Sequence, residues 1–331
     1  MENSYSFEVI PAAAIGDTLS GSPALIIDAT SGESISNGLT PLHSHGKYKL
    51  YYTRPGINQL VKTYNLAQET GLKTIVVCNE DISNTGHFLP KKEYTASLIS
   101  AGSYPGKQNI LETLLKDKNL KEFSHLGYQI YRYAPKILRK LQEHNFEELR
   151  LGKLREDITS AEPLLRTKEY IFADLRSVRV CDFPNNPSLS PNGLYAEEFC
   201  QLARYIGMAQ DLKSLFIFGF PSCSETHCTA GVLTAELIWH TVEALWSNVH
   251  EDPSKNENNG NFLRKIVSMG REGQDLCFIT SRSSGRWWME IPVVQTSDLK
   301  YIPCSNQDYI TACSGDVPLR WLFFFQKLNQ N

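Results

Sequence analysis

Residues 170–207 read "YIFADLRSVRVCDFPNNPSLSPNGLYAEEFCQLARYIG". The run from Tyr170 to Leu175 is apolar except for Asp174 near its carboxyl end, and an irregular Asn/Pro/Ser loop, Gly193 and a helical stretch follow. That is the signature of a buried strand of a parallel sheet, which delivers polar side chains to its carboxyl edge, where open α/β proteins build their sites. Two positions on from Asp174 stands Arg176. Residues two apart on a strand share a face, so the carboxylate and the guanidinium are expected in one pocket. A guanidinium offers only donors, stays charged and cannot ligate a cation. At about 5–7 Å from a divalent ion it would add a repulsion of a few kcal/mol at intermediate dielectric.

Outward from this stretch, strand and helix signals alternate, which predicts an α/β protein with a mainly parallel sheet in a three-layer αβα arrangement. Strands are expected at 23–28, 72–78, 126–131, 147–151, 169–175, 214–220 and 275–280, and helices at 57–70, 108–117, 135–144, 195–207, 229–248 and 307–313. In the helix at 229–248, Val232, Ala235, Leu237, Ile238, Val242, Leu245 and Trp246 recur at helical spacing. The polar run 247–261 after it reads as a solvated loop. No internal repeat is evident. The length, 331 residues, is compatible with one domain spanning 1–331.

Composition narrows the class. A hydrophobic content of 41%, with 11% aromatic, supplies an ample core. A net charge of −3 and a pI near 6.3 provide no basic field for nucleic acid or an anionic membrane. No apolar run approaches the roughly 20 residues that span a bilayer. The N-terminal "MENSYSFEVI" has neither the basic nor the apolar region of a secretory signal. Eight cysteines without an export signal read as reduced thiols, and the expected location is cytoplasmic.

The run Phe172-Ala173-Asp174-Leu175-Arg176, followed by Pro191-Asn192-Gly193-Leu194, resembles the ureohydrolase family (arginase, agmatinase, formimidoylglutamase). In that family the run is Ser-x-Asp-x-Asp, a short polar stretch and a Pro-x-Gly-Leu helix start. The segments 125–135 "HLGYQIYRYAP", 146–166 "FEELRLGKLREDITSAEPLLR", 285–293 "GRWWMEIPV" and 301–322 "YIPCSNQDYITACSGDVPLRWL" are similar to the formimidoylglutamase-like proteins of Bacteroidetes. The resemblance runs from about residue 120 to the end, and residues 1–70 match poorly, as if divergent or shortened. It implies an arginase-like fold. It also implies a site that in the family holds two manganese ions, which lower the pKa of a bridging water and polarise the scissile carbon.

Measured against that family, the ligands here look degenerate. Asp174 is kept and Arg176 replaces a metal-binding aspartate. The family's Asp-x-His-x-Asp motif finds its best candidate in Asn79-Glu80-Asp81-Ile82-Ser83, which has no histidine. For its Gly-Gly-x-His motif, neither His43 and His45 in "HSHGKY" nor His87 in "NTGHFLP" has the required setting. Gly219 stands at the end of the strand expected at 214–220, where relatives carry a glutamate. The vestigial pocket is thus expected to comprise Asp174, Arg176, Arg179, Asn79, Glu80, Asp81 and Gly219. No catalytic residue and no cofactor are expected, and any metal would fall to Asp174 and Asp81.

Three functional readings remain open. The first is a catalytically inactive member acting as a binding or scaffold subunit, in a homo-oligomer or a complex with another protein. The second is a divergent amidine or amide hydrolase that still uses manganese. The third is a sensor of small guanidino or carboxylate ligands with Arg176 and Arg179 as carboxylate forks. Other features favour plain structural roles. Cys223, His227 and Cys228 lack the second ligand pair a zinc site needs, and a Cys223–His227 nucleophile lacks an orienting partner. Arg286, Trp287 and Trp288 could form a partner patch, since Trp and Arg lead at hot spots, or pack against the last helix. The apolar run 320–328 reads as a docked C-terminal segment and His240 as a packed helix residue.

Overall fold

The computed structural model describes residues 7–15, 22–30, 32, 34–79, 88–104, 109–222, 228–255, 260–270 and 274–329. The chain divides into two compact units: Met1–Ala161 with Leu165–Asn248, and Val249–Asn331 with Glu162–Leu164.

The first unit is built on nine strands: β1 (Phe7–Val9), β2 (Leu25–Asp28), β3 (Leu50–Thr53), β4 (Thr74–Val77), β5 (Tyr94–Ile99), β6 (Leu120–Tyr128), β7 (Glu147–Arg150), β8 (Tyr170–Asp174) and β9 (Ser214–Phe218). They form one sheet in the order β1-β3-β2-β4-β9-β8-β5-β6-β7, and every pairing is parallel. The helices are α1 (Ser34–Leu39), α2 (Leu60–Glu69), α3 (Ile110–Lys116), α4 (Pro135–Glu143), α5 (Leu151–Glu156), α7 (Ala196–Gly207) and α8 (Thr229–Ser247), while α6 (Ala161–Leu165) has its Glu162–Leu164 grouped with the second unit.

Both faces of the sheet are covered, which explains why β2, β4, β8 and β9 are buried at every residue. On one face Leu25, Val76, Phe172, Phe216 and Phe218 pack with Tyr64 of α2, Leu111 of α3 and Leu141 of α4. The alternate residues turn to the other face, where α1, α7 and α8 pack together. A Cβ at Gly207 of α7 would lie 2.2 Å from the Thr241 carbonyl oxygen, so the α7–α8 approach depends on that glycine. The three-layer expectation holds. Of the α8 stripe, Ala235, Leu237, Ile238 and Val242 are buried while Val232 and Trp246 are exposed.

The N-terminal region contributes β1, β2 and β3, and the strand expected at 23–28 is β2. Two sequence expectations need correction. The strand expected at 126–131 runs Leu120–Tyr128 instead. The strand expected at 275–280 exists, but outside the parallel sheet.

That strand belongs to the second unit, whose β10 (Phe262–Val267), β11 (Leu276–Ser281), β12 (Trp287–Val293) and β13 (Asp298–Cys304) form an antiparallel sheet in sequence order. The helices α9 (Asn306–Cys313) and α10 (Leu319–Asn329) complete it. Phe278, Met289, Ile291 and Cys304 pack with Ala312, Trp321 and Phe324 in its core. The indole of Trp321 donates to the Glu290 carbonyl at 3.0 Å, so the C-terminal apolar run is docked as expected. Among the described residues no helix is long and apolar enough to cross a membrane. The described residues of the polar run 247–261 are exposed or half-buried apart from Glu251 and Pro253. Glu251 is buried within it and accepts hydrogen bonds from Ser281, Ser283, Ser284 and Asn261, which together outweigh its burial and hold its carboxyl below the usual range.

Candidate functional site

A wholly parallel sheet gathers its carboxyl ends along one edge, and Asp174 closes β8 near the middle of the strand order. It is 1% exposed and Arg176 is 7% exposed. Arg176 donates from Nε to Asp174 Oδ1 at 2.8 Å and from Nη2 to Oδ2 at 3.0 Å, a two-pronged ion pair. The pairing arises differently from the strand alternation that suggested it. The strand stops at Asp174, residues 175–177 form a single 3-10 turn, and the Asp174 carboxylate caps that turn by accepting from the Arg176 N–H at 3.0 Å. The side chain of Arg176 then folds back over the same carboxylate.

The surroundings of the pair are closed. The Tyr104 ring lies 4.2 Å from the guanidinium carbon and the Phe218 ring 5.6 Å. Ser100 Oγ stands 3.4 Å from Asp174 Oδ2. The Tyr104 hydroxyl is buried with no hydrogen-bond partner among the described residues, and burial, first, with the Asp174 charge behind it, raises its pKa well above the phenol range. Gly219, directly after β9, has φ +76°, and a Cβ there would meet Asp174 Oδ1 at 2.7 Å and Arg176 Nε at 2.9 Å. The glycine at 219 is therefore a steric requirement of the ion pair as well as a missing carboxylate.

The strand order decides which residues face Asp174. The neighbours of β8 are β9 and β5, and β4 lies beyond β9. The residues that face Asp174 from the next strand are thus Ser100 and Tyr104, after β5, and not those after β4. Asn79, at the end of β4, donates to the carbonyls of Phe220 and Pro221 at 3.4 and 3.3 Å and ties β4 to the loop after β9. Glu80, Asp81, Ile82, Ser83 and His87 lie outside the described residues, as do Cys223 and His227.

Arg179 does not join Arg176. It pairs with Asp182 at 2.8 Å and covers the Tyr195 ring at 4.0 Å, so neither guanidinium is free to act as a carboxylate fork. His43 and His45 pack beside Trp239 of α8, whose indole donates to the His43 carbonyl at 2.7 Å. Arg286 and Trp288 are buried, and Arg286 reaches Glu162 at 3.6 Å and the Val249 carbonyl at 3.1 Å. These two are interior residues and not an exposed patch. Trp287 is half-buried, stacked on Tyr309 under the Lys265 ammonium.

A second carboxylate at the same edge escaped the sequence reading. Asp28 ends β2, is buried, and accepts from the Thr30 N–H at 2.9 Å, the Thr30 hydroxyl at 2.7 Å and the Tyr52 hydroxyl. Arg54 Nε stands 3.5 Å from its Oδ2. The signal was present: a buried run "PALIID" ending on an aspartate. Asp28 and Asp174 are both satisfied by an arginine and by hydroxyls.

These side chains do not fit a metal pair. Asp174 has both oxygens engaged by a cation, and Ser100, Gly102 and Gly219 offer no carboxylate or imidazole. Among the described residues no group of three or more His, Cys, Asp or Glu could hold a metal ion.

No family model matches the chain, and no curated protein matches it. Solved structures do. The Trypanosoma cruzi formiminoglutamase with manganese superposes with a TM-score of 0.57 at 13% identity, over 72% of this chain and 99% of its own. The fold is that of the arginases. Formimidoylglutamase from Bacillus subtilis gives a TM-score of 0.58 at 14% identity, over 74% of this chain and 92% of its own. An arginase-like protein of Trypanosoma brucei, solved as a quadruple mutant, gives 0.52 at 11% identity, over 71% of this chain and 93% of its own. The arginase fold in this chain thus accounts for nearly all of those proteins and leaves about a quarter of this one without a counterpart in them.

Proposed function

We propose that this arginase-fold protein has given up two-manganese hydrolysis and serves as a binding or scaffold subunit, in a homo-oligomer or with a protein partner. One observation carries the reading: Arg176 holds both oxygens of Asp174, beneath a glycine whose replacement would collide with the pair. A carboxylate so engaged would have to release a buried guanidinium before it could bind a cation, and breaking a buried pair costs several kcal/mol.

The Trypanosoma brucei mutant supports the same reading from the opposite direction. Its four substitutions turn three serines into aspartate and one arginine into histidine, adding the kinds of side chain a metal pair needs. At the edge around Asp174 this chain presents Ser100, Gly102, Tyr104 and Arg176. The second unit supports the subunit role, because its own sheet and core add a surface to that of the parallel-sheet unit.

Hydrolysis of arginine, agmatine and formiminoglutamate, measured after incubation with excess manganese, tests the reading. None should exceed the buffer rate. Turnover that disappears in Asp174→Ala would instead establish a divergent metal-dependent hydrolase. Sedimentation of the full chain tests the subunit role, and a strictly monomeric protein would remove the homo-oligomer.

A further inference from the structure

The same carboxyl edge carries a cavity whose lining does not include Asp174. The loops after β6 and β7 and the segment before α7 enclose about 370 Å³, with Tyr128, Tyr131, Arg150, Gly152, Lys153 and Asn192 among the lining residues. That volume suits a small ligand, and the edge is where open parallel sheets bind them. We propose that this cleft binds a small organic anion, its carboxylate or phosphate head on Arg150 and Lys153 and its planar apolar body against Tyr131.

Three observations carry the proposal. The first is charge: Arg150, Lys153 and Arg155 line the cleft against a single acidic residue, Glu156. Arg155 is engaged by Glu198 and by the Gly193 carbonyl, and Lys153 shares Glu156 at 2.7 Å in an exposed, weak pair. Arg150 makes no ion pair with any described residue, which leaves its fork for a ligand. The second is the wall. Tyr131 is 70% exposed, yet its hydroxyl accepts from Asn192 Nδ2 at 3.0 Å. Asn192 is itself locked to Gln129 by two bonds of 3.1 Å. An aromatic ring held in place while facing solvent is a preformed surface for a planar group.

The third is Gly152, in the first turn of α5. Its φ is not positive and a Cβ there would meet nothing within 4 Å. Neither backbone conformation nor packing asks for a glycine, which weakens a helix relative to alanine. What the glycine does is leave room in the cleft.

Calorimetric titration of the full-length protein with benzoate, phenyl phosphate, inorganic phosphate and benzyl alcohol tests this. At least one aromatic anion should bind with a Kd below about 1 mM, and benzyl alcohol and inorganic phosphate at least about tenfold more weakly. Whichever of benzoate and phenyl phosphate binds tighter identifies the head group, and equal binding leaves a generic anion site. Arg150→Gln should weaken the aromatic anion about tenfold. Gly152→Trp should fill the cleft and abolish binding, with the melting temperature kept within about 3 °C. Should Gly152→Trp fail to fold, the exposed Arg150 substitution still decides. The proposal fails if no aromatic anion binds by about 10 mM, if benzyl alcohol binds as tightly as the anions, or if both variants bind like the wild type.

Discussion

Replacing Arg176 with methionine keeps a long side chain over Tyr104 but removes the cation that holds Asp174. The structure sets the scale. Two charge-assisted bonds of 2.8 and 3.0 Å are lost, together with the stacking at 4.2 Å, while the carboxylate stays 1% exposed. Breaking a buried pair from one side costs about 3–5 kcal/mol, because the remaining charge is stranded. At roughly 2–4 °C per kcal/mol for a unit of this size, the melting temperature of the first unit should fall by about 6–20 °C. Removing the charge as well, in Asp174→Asn with Arg176→Met, should recover all but about 1–2 kcal/mol, since replacing a whole buried pair is often nearly neutral. Scanning calorimetry is the assay, because it can resolve separate transitions of the two units. A shift under about 2 °C in Arg176→Met, or a double variant as damaged as the single one, would refute the reasoning.

Gly219→Ala should cost about 1–3 kcal/mol, measured by urea unfolding, because φ is +76° and the new methyl meets the Asp174–Arg176 pair; a neutral result would mean that the pair can move. His125 is fully buried and burial pushes its imidazole down from 6.5 to about 3. The unfolded chain therefore binds more protons between those values, and the contribution present above pH 6.5 is lost by about 1.4 kcal/mol per unit on acidification. Between pH 6.5 and 5 the wild type should lose about 2 kcal/mol more than His125→Gln, and parallel curves would contradict the assignment. Trp288→Ala should cost about 3–5 kcal/mol, since the indole is 3% exposed; an unchanged melting temperature with weakened association would return Trp288 to the role of an interface anchor.

The parts of the fold legible in the sequence were those with strong local signals. β8 and β9 are continuous apolar runs, and α7 and α8 carry helical spacing. β5 was missed because Thr95, Ala96 and Ser97 interrupt its apolar pattern, although it is central and mostly buried. Small residues suit it there: Ser97 and Ser124 hydrogen-bond across β5 and β6 at 2.9 Å, so polarity is satisfied within the sheet. Missing β5 had a direct consequence for the site, because Ser100 and Tyr104 follow it. The ion pair was foreseeable from Asp174 and Arg176 themselves. Its enclosure was not, since Gly219 and Tyr104 reach it only through strand order. The antiparallel sheet escaped for a similar reason: a strand's own pattern does not name its partner, and 275–280 looks the same in either sheet.

Equilibrium dialysis of the full-length protein against manganese, followed by elemental analysis, bears most directly on the claim that an arginine has taken over the metal site. The account predicts no stoichiometric manganese at concentrations that load a metal-containing relative tested alongside, and no gain from Arg176→Asp alone, because no histidine faces Asp174 from the ends of β5 or β9 among the described residues. One or more manganese ions per wild-type chain, lost in Asp174→Ala, would contradict it.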